Sequence, residues 1–115
     1  MKIAYSANAL LKRKAIKREL REKFGGSIAD KVSEHISSTI AALKKFPQMG
    51  VSLKTNYHLD CDYYILFVEH NYFVYRIQGD IIIILEIFNE KEDFIYQLFG
   101  IQSTTQDTID FWGED

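Results

Sequence analysis

Residues 63–88 contain the feature that most restricts how this chain can fold: three apolar runs separated by two short polar breaks, YYILFVEHNYFVYRIQGDIIIILEIF. The runs are rich in Ile, Val, Tyr and Phe, which suit a pleated and partly buried surface. The breaks, His70-Asn71 and Gly79-Asp80, have two residues each, and Asn, Gly and Asp accept the positive φ that two-residue hairpins require. The stretch therefore predicts three strands in an antiparallel meander.

The two turns also predict which side chains share a face of this sheet. Two-residue turns would oppose Glu69 to Tyr72 and Gln78 to Ile81. One face would then carry the following side chains: Ile65, Phe67, Tyr72, Val74, Arg76, Ile83 and Leu85. The other face would carry a second set: Tyr64, Leu66, Val68, Phe73, Tyr75, Ile77, Ile82, Ile84 and Glu86. Both sets are mostly apolar, so we expect both faces to be at least partly covered.

Two amphipathic helices are predicted before the sheet. Ser6 is a plausible N-cap for the first, which should run to about Phe24, where Gly25-Gly26 stops it. The second should begin at Ser27, supported by Asp30, and cannot continue past Pro47. Each has an apolar stripe at helical spacing: Ala9, Ile16, Leu20 and Phe24 in the first, and Ile28, Val32, Ile36, Ile40 and Leu43 in the second. A helical hairpin that covers one face of the sheet is the expected result.

The remaining segments have weaker patterns. Residues 51–54 are expected to form a short strand or an ordered loop, and a helix is expected from Glu90 to Phe99. We predict one domain over residues 1–101 and an acidic, mobile tail over residues 102–115. Phe111-Trp112 is a candidate docking point for this tail, either on its own domain or on a partner.

Length and composition exclude several classes of protein. With 115 residues, 47% hydrophobic and 26% charged, the chain has the composition of one globular domain. Its longest apolar run is far shorter than the ~20 residues of a membrane-spanning helix, and no signal peptide is apparent, so we expect a cytoplasmic protein without a membrane partner. The single Cys61 cannot form an internal disulfide, and the three histidines lack ligand spacing. We therefore predict no metal and no cofactor.

Charge is distributed unevenly along the chain. The net charge of −2 does not favour nucleic-acid binding, which depends on neutralising several phosphates. From Lys2 to Lys23 there are eight basic and two acidic residues, whereas from Glu86 onward there are eight acidic and one basic. The basic region is interpreted as a solvated helix face or as a contact surface for an acidic partner.

The order of the predicted elements and several short motifs resemble the RelE/ParE superfamily of bacterial type II toxins over residues 2–101. The motifs are Tyr5-Ser6, Phe24-Gly25, Leu43-x-x-x-Pro47-x-x-Gly50, Tyr72-x-x-Tyr75-Arg76-Ile77, Lys91-x-Asp93 and Leu98-Phe99-Gly100-Ile101. The resemblance implies an α+β fold, in which an N-terminal helical hairpin packs on one face of an antiparallel sheet and a site lies on the other. It also implies a cognate antitoxin, bound in a toxin-antitoxin hetero-oligomer.

Members of this superfamily act on different targets. RelE-like members cleave mRNA in the ribosomal A site, whereas ParE-like members poison DNA gyrase. Where many nuclease members have an arginine in a central strand, this chain has Tyr64 or Phe73, and their His-x-Arg near the last strand reads Asn89-Glu90-Lys91. The candidate catalytic residues that remain are Lys54, Arg76, Lys91 and Tyr96.

RNA cleavage needs a base, an acid and cations that stabilise the phosphorane. Lys54, Arg76 and Lys91 could supply the cations, and Glu86 or His58 the base, although the predicted register puts Glu86 on the face opposite Arg76. The low net charge and the missing Arg and His favour gyrase inhibition. The alternatives are a ribosome-dependent mRNA endoribonuclease with an unusual site, and a toxin fold that retains only antitoxin binding.

Overall fold

The chain folds into two layers, a helical hairpin and a five-stranded sheet, in a computed structural model that describes residues 1–94 and Leu98. The elements are β1 (Lys2–Tyr5), α1 (Ala7–Phe24), α2 (Gly26–Ala41) followed by a 3-10 turn (Ala42–Lys44), β2 (Val51–Ser52), α3 (Leu53–Tyr57), β3 (Tyr64–Val68), β4 (Asn71–Gln78) and β5 (Ile81–Asn89). The predicted α+β architecture is confirmed, with both long helices preceding the meander. Within the described part of the chain, no helix is long and apolar enough to cross a membrane.

The sheet has the strand order β1-β5-β4-β3-β2. The predicted meander forms its centre, because β3, β4 and β5 pair antiparallel in sequence. β2 adds to β3 antiparallel, and β1 lies parallel to β5 with Lys2 opposite Ile81. The sheet is therefore mixed, with one parallel pair at the β1 edge.

One of the two predicted turns is correct and the other is displaced by one residue. Gln78 opposes Ile81, so Gly79-Asp80 forms the second turn as expected. The first turn is Glu69-His70, with φ of 50° and 66°, and Asn71 already belongs to β4. Asn71 is buried, and its side-chain amide donates to the Glu69 carbonyl at 2.8 Å, so it supports the turn from within the strand. The displacement shifts the pairing by two residues, which leaves the predicted faces of β3 and β4 unchanged.

A β-bulge in β5 changes the predicted face of Glu86. Val74 opposes Glu86 and Tyr75 opposes Ile84, so Leu85 is an extra residue in β5. Residues directly opposite each other share a face. Glu86 therefore lies on the same face as Val74. The prediction that it lies on the Tyr75 face is wrong, because strict alternation along a strand does not allow for the extra residue of a bulge. Ile87 takes the place predicted for Glu86 and is 2% exposed.

The helical hairpin covers one face of the sheet, as predicted. Ser6 caps α1, its hydroxyl accepting from the Ala9 N–H at 3.0 Å. The second helix begins one residue before the predicted Ser27, with Gly25 at its cap position and φ +90°, and Asp30 lies 3.6 Å from Lys17 rather than supporting the cap. The main core lies between these layers: Ala9, Ile36, Ile40, Leu43, Leu66, Val68, Phe73, Tyr75, Ile82, Ile84 and Ile87.

The tip of the hairpin departs from the predicted stripes. Phe24 and Ile28 are 58% and 47% exposed, although helical spacing places both in line with core residues. Spacing predicts which side of a helix is apolar but not where the sheet beneath it ends. The tip therefore presents apolar surface to solvent.

Residues after the hairpin form shorter elements than expected. The predicted strand at 51–54 ends at Ser52, whose side chain caps α3 by accepting from the Thr55 N–H at 3.2 Å. Phe94 and Leu98 have helical backbone, within the helix predicted from Glu90 to Phe99. Tyr96, Phe111-Trp112 and the predicted tail over 102–115 lie outside the described residues.

Candidate functional site

The sheet face opposite the helical hairpin is the face on which the sequence resemblance implies a site. A second apolar cluster covers it, formed by the buried residues Leu53, Ile65, Val74, Phe88 and Phe94, with Leu59, Cys61, Tyr63, Tyr72 and Leu98 packed around them. The Phe94 ring is central to this cover, with its centroid 4.8 Å from that of Tyr72 and 6.0 Å from that of Tyr57. We call these ten residues the covering cluster.

Lys54 and Arg76 lie toward one end of this face. The Arg76 Nε is 3.8 Å from a carboxylate oxygen of Asp62, too long for a hydrogen bond, and Nε itself is buried without a hydrogen-bond partner. Lys54 is exposed on α3 and lines a shallow cavity with Asp60 and Asp62. Arg76 thus lies near the carboxylate of Asp62, and Lys54 shares its cavity with two carboxylates.

Lys91 lies toward the opposite end of the sheet from Arg76. It is exposed in the turn after β5, and its N–H donates to the Asn89 side chain at 3.0 Å. Asn89 opposes Asn71, whereas Arg76 opposes Ile83. Asn71 and Arg76 are five residues apart on β4, which is about 17 Å of strand. Arg76 and Lys91 are therefore not gathered around one phosphate-sized site, and Tyr96, the fourth candidate, lies outside the described residues.

Glu86 interacts with α1 rather than with the three candidate cations. One of its carboxylate oxygens is 2.8 Å from Lys12 Nζ, and the other accepts from the Asn8 side-chain amide at 2.6 Å. Lys12 also donates to the Ile87 carbonyl at 3.0 Å and lies 4.8 Å from the centre of the Phe88 ring. This network ties α1 to the bulged part of β5, where β1 no longer pairs, so Glu86 has a structural role.

The histidines are at turns and surfaces. His58 ends α3 in a left-handed conformation, with φ 57°. His35 on α2 contacts Glu69 at 2.5 Å, and His70 contacts Glu90 at 2.9 Å, so both brace the β3–β4 turn. Within residues 1–94 and Leu98, His, Cys, Asp and Glu side chains form no group of three that could hold a metal ion.

A groove of about 400 Å³ lies between the helical hairpin and the end of the sheet near the β3–β4 turn. Its apolar lining comes from Ala15, Ile16, Leu20, Phe24, Val32 and Ile87, and its polar lining from Lys12, Glu19, Lys23, Glu69, His70, Asn71, Asn89 and Glu92. The exposed Phe24 at the tip of the hairpin extends this apolar lining to solvent. Sequence reasoning treated Phe24 as core and so missed this surface.

The hydrogen-bonded loop between α2 and β2 is a second surface that the sequence did not reveal. The buried Tyr75 hydroxyl donates to the Pro47 carbonyl at 2.8 Å and accepts from the Gly50 N–H at 3.0 Å. Burial raises the pKa of the Tyr75 phenol, which therefore stays protonated and able to donate. A Cβ on Gly50 would lie 2.6 Å from this hydroxyl, so the glycine permits the close approach. The loop holds Phe46 and Met49 at the surface, 62% and 40% exposed.

Comparison with known proteins was made on sequence and on fold. No curated protein sequence matched the chain. Among solved structures, a chain of the chromosomal ParDE TA system from P. aeruginosa is similar with a TM-score of 0.64 and 20% identity, covering 77% of this chain and 95% of that one. A YoeB/ParE toxin from Agrobacterium tumefaciens is similar with a TM-score of 0.54 and 17% identity, covering 77% and 98%.

At these identities the structural similarity establishes the fold, and the family is established by sequence. A family model described as ParE toxin of type II toxin-antitoxin system, parDE, matches residues 3–94. This match spans the hairpin, all of the sheet except Lys2, and Phe94 of the covering cluster. The chain therefore belongs to the ParE toxin family of type II toxin-antitoxin systems.

Proposed function

We propose that this ParE-family toxin arrests growth by inhibiting DNA gyrase through protein contacts, and that it does not cleave RNA. One observation carries the proposal: the covering cluster occupies the sheet face on which a RelE-like nuclease site would lie. Phe94 is 8% exposed in that cluster, which leaves an apolar surface where a phosphate would have to bind. An apolar surface cannot replace the water around a phosphate, so substrate binding there would be unfavourable.

The arrangement of the candidate cations supports the same conclusion. A phosphorane carries charge that a nuclease stabilises with positive groups placed around a single centre. Here Arg76 lies 3.8 Å from Asp62 and Lys54 lines a cavity with Asp60 and Asp62, while Lys91 lies toward the opposite end of β4 and β5 from Arg76. Arg76 and Lys91 therefore cannot contact one phosphate without a large rearrangement.

The antitoxin that the family implies would bind in the groove beside α1. The groove combines an apolar lining with polar residues at its rim, which suits an amphipathic helix or an extended segment. The exposed Phe24 offers an additional apolar contact at the hairpin tip. This site is distinct from the covering cluster on the opposite face of the sheet.

A cleavage assay tests the proposal against the nuclease alternative. Ribosomes programmed with a defined mRNA are incubated with the purified toxin, and A-site cleavage is mapped by primer extension. We expect the mRNA to remain intact with the wild-type protein. Cleavage that Arg76→Ala or Lys91→Ala lowers by about 10²-fold or more, as removal of one charge-stabilising contact does in an enzyme, would overturn the proposal.

A further inference from the structure

The loop between α2 and β2 presents an apolar and basic surface with no cover in the described part of the chain. Phe46 is 62% and Met49 40% exposed, and the neighbouring Lys44 and Lys45 are exposed with no described carboxylate within 4 Å. We call these four residues the loop patch. Exposed apolar side chains flanked by unpaired cations suit an acidic, aromatic segment.

The loop patch is preorganised for binding. The Tyr75 hydroxyl holds the loop at two points, the Pro47 carbonyl and the Gly50 N–H. The backbone between them is also fixed by the Met49 N–H, which donates to the Phe46 carbonyl at 3.1 Å. A surface that is already ordered loses little conformational entropy when a segment binds to it, so a modest contact area is enough.

The chain itself contains a segment of the complementary chemistry. Residues 107–115, DTIDFWGED, carry four carboxylates and no cation, with Phe111 and Trp112 at their centre. We propose that this segment docks on the loop patch of its own domain, with its aromatic side chains against Phe46 and Met49 and its carboxylates near Lys44 and Lys45. The inference does not depend on which target the toxin inhibits.

The tether makes this contact feasible within one molecule. Leu98 belongs to the covering cluster together with Leu53, and Leu53 directly follows β2. Phe46 is seven residues before Leu53, so the two are at most about 25 Å apart. Residues 99–111 can span roughly 45 Å when extended, well beyond that distance. A short connection also gives an effective concentration on the order of millimolar, which favours weak intramolecular contacts.

Trp112 is the only tryptophan in the chain, so its fluorescence reports directly on the segment. In the full-length protein we expect a blue-shifted emission and acrylamide quenching well below that of a synthetic peptide covering residues 103–115. Phe46→Ala should raise quenching to the level of the peptide. Leu11→Ala is the matched control, because Leu11 is 66% exposed on α1 near other cations, and it should leave quenching unchanged.

A charge exchange gives an independent test that does not alter an apolar residue. Lys44→Glu with Lys45→Glu should release Trp112, and each ion pair lost should lower the docking constant by up to about fivefold. Adding Asp107→Lys and Asp110→Lys to that variant should restore protection. Lys14→Glu with Arg18→Glu on α1 is the control that should have no effect, and thermal melting verifies that every variant is folded.

Three results would overturn the inference. Trp112 in the wild-type protein could be as accessible as in the peptide, which would mean that the segment is not docked. The α1 variants could release Trp112 while the loop-patch variants do not, which would place the contact elsewhere. Protection could also increase with protein concentration, which would identify a second copy as the occupant.

Discussion

Replacing Tyr75 with Phe tests how the loop between α2 and β2 is held. The substitution removes only the hydroxyl, which makes hydrogen bonds of 2.8 Å to the Pro47 carbonyl and 3.0 Å to the Gly50 N–H. Each such bond contributes about 0.5–1.5 kcal/mol net, so the loss of two should lower the free energy of unfolding by about 1–3 kcal/mol. For a domain of this size, 1 kcal/mol corresponds to a fall in Tm of roughly 4–8 °C.

Urea unfolding at neutral pH measures the effect, and Tyr64→Phe is the matched control. Tyr64 opposes Tyr75 and its ring stacks on that of Tyr75, with centroids 5.3 Å apart. The hydroxyl that is hydrogen-bonded to the loop is that of Tyr75, so Tyr64→Phe removes a hydroxyl from the same ring pair and leaves the loop bonds in place. We expect the control to cost clearly less than Tyr75→Phe. Equal losses in the two variants would show that ring packing, and not the hydroxyl, holds the loop.

The raised pKa of Tyr75 adds a pH dependence to the same test. The folded protein keeps the phenol protonated above pH 10.0, where the unfolded chain loses its proton. The stabilisation that the Tyr75 phenol contributes is thus complete below the pKa that the phenol has in the unfolded chain. It is lost as the pH rises through the raised pKa of the phenol in the folded protein. Tyr75→Phe should show a smaller loss of stability at alkaline pH than the wild type, and identical slopes would contradict the assignment.

Two further predictions concern the core and the antitoxin. Ile36 is 1% exposed between the layers, so Ile36→Ala should lower the free energy of unfolding by about 2–5 kcal/mol, whereas Lys14→Ala on the exposed side of α1 should change it by no more than about 0.5 kcal/mol. Urea unfolding compares them, and equal losses would mean that the helix faces are misassigned. A saturating antitoxin segment should raise the Tm of the toxin, since a ligand that binds only the folded state stabilises it. Phe24→Ala should weaken antitoxin binding, whereas Phe67→Ala should not, although Phe67 in β3 is also exposed, at 52%. Calorimetry measures both affinities, and a larger loss of affinity for Phe67→Ala than for Phe24→Ala would exclude the groove beside α1.

The sequence predicted the fold well where local patterns determine it. Ser6 has the side chain that caps a helix, the stripe through Ile36 and Ile40 faces the sheet, and Gly79-Asp80 forms a two-residue turn. These features depend on residues close together in the chain. The first turn was misplaced because Asn71 favours turns by type, but here it is buried and supports Glu69-His70 from the adjacent strand position.

What the sequence could not predict depends on contacts between distant segments. The bulge at Leu85 moved Glu86 opposite Val74, and α1 then paired Glu86 with Lys12, which is 74 residues earlier in the chain. The parallel pairing of β1 with β5 has no local signal either. The covering cluster was equally hidden, because Leu53 and Phe94 come from segments whose patterns do not indicate that they meet on one sheet face.

Inhibition of DNA supercoiling tests whether the toxin acts on gyrase. Purified gyrase is incubated with relaxed plasmid and ATP, and the toxin is titrated in with and without its antitoxin. We expect supercoiling to fall as the toxin is added, antitoxin to restore it, and the Lys54→Ala with Lys91→Ala variant to remain inhibitory, because no phosphate chemistry is involved. Full supercoiling activity at a large excess of folded toxin would contradict gyrase inhibition.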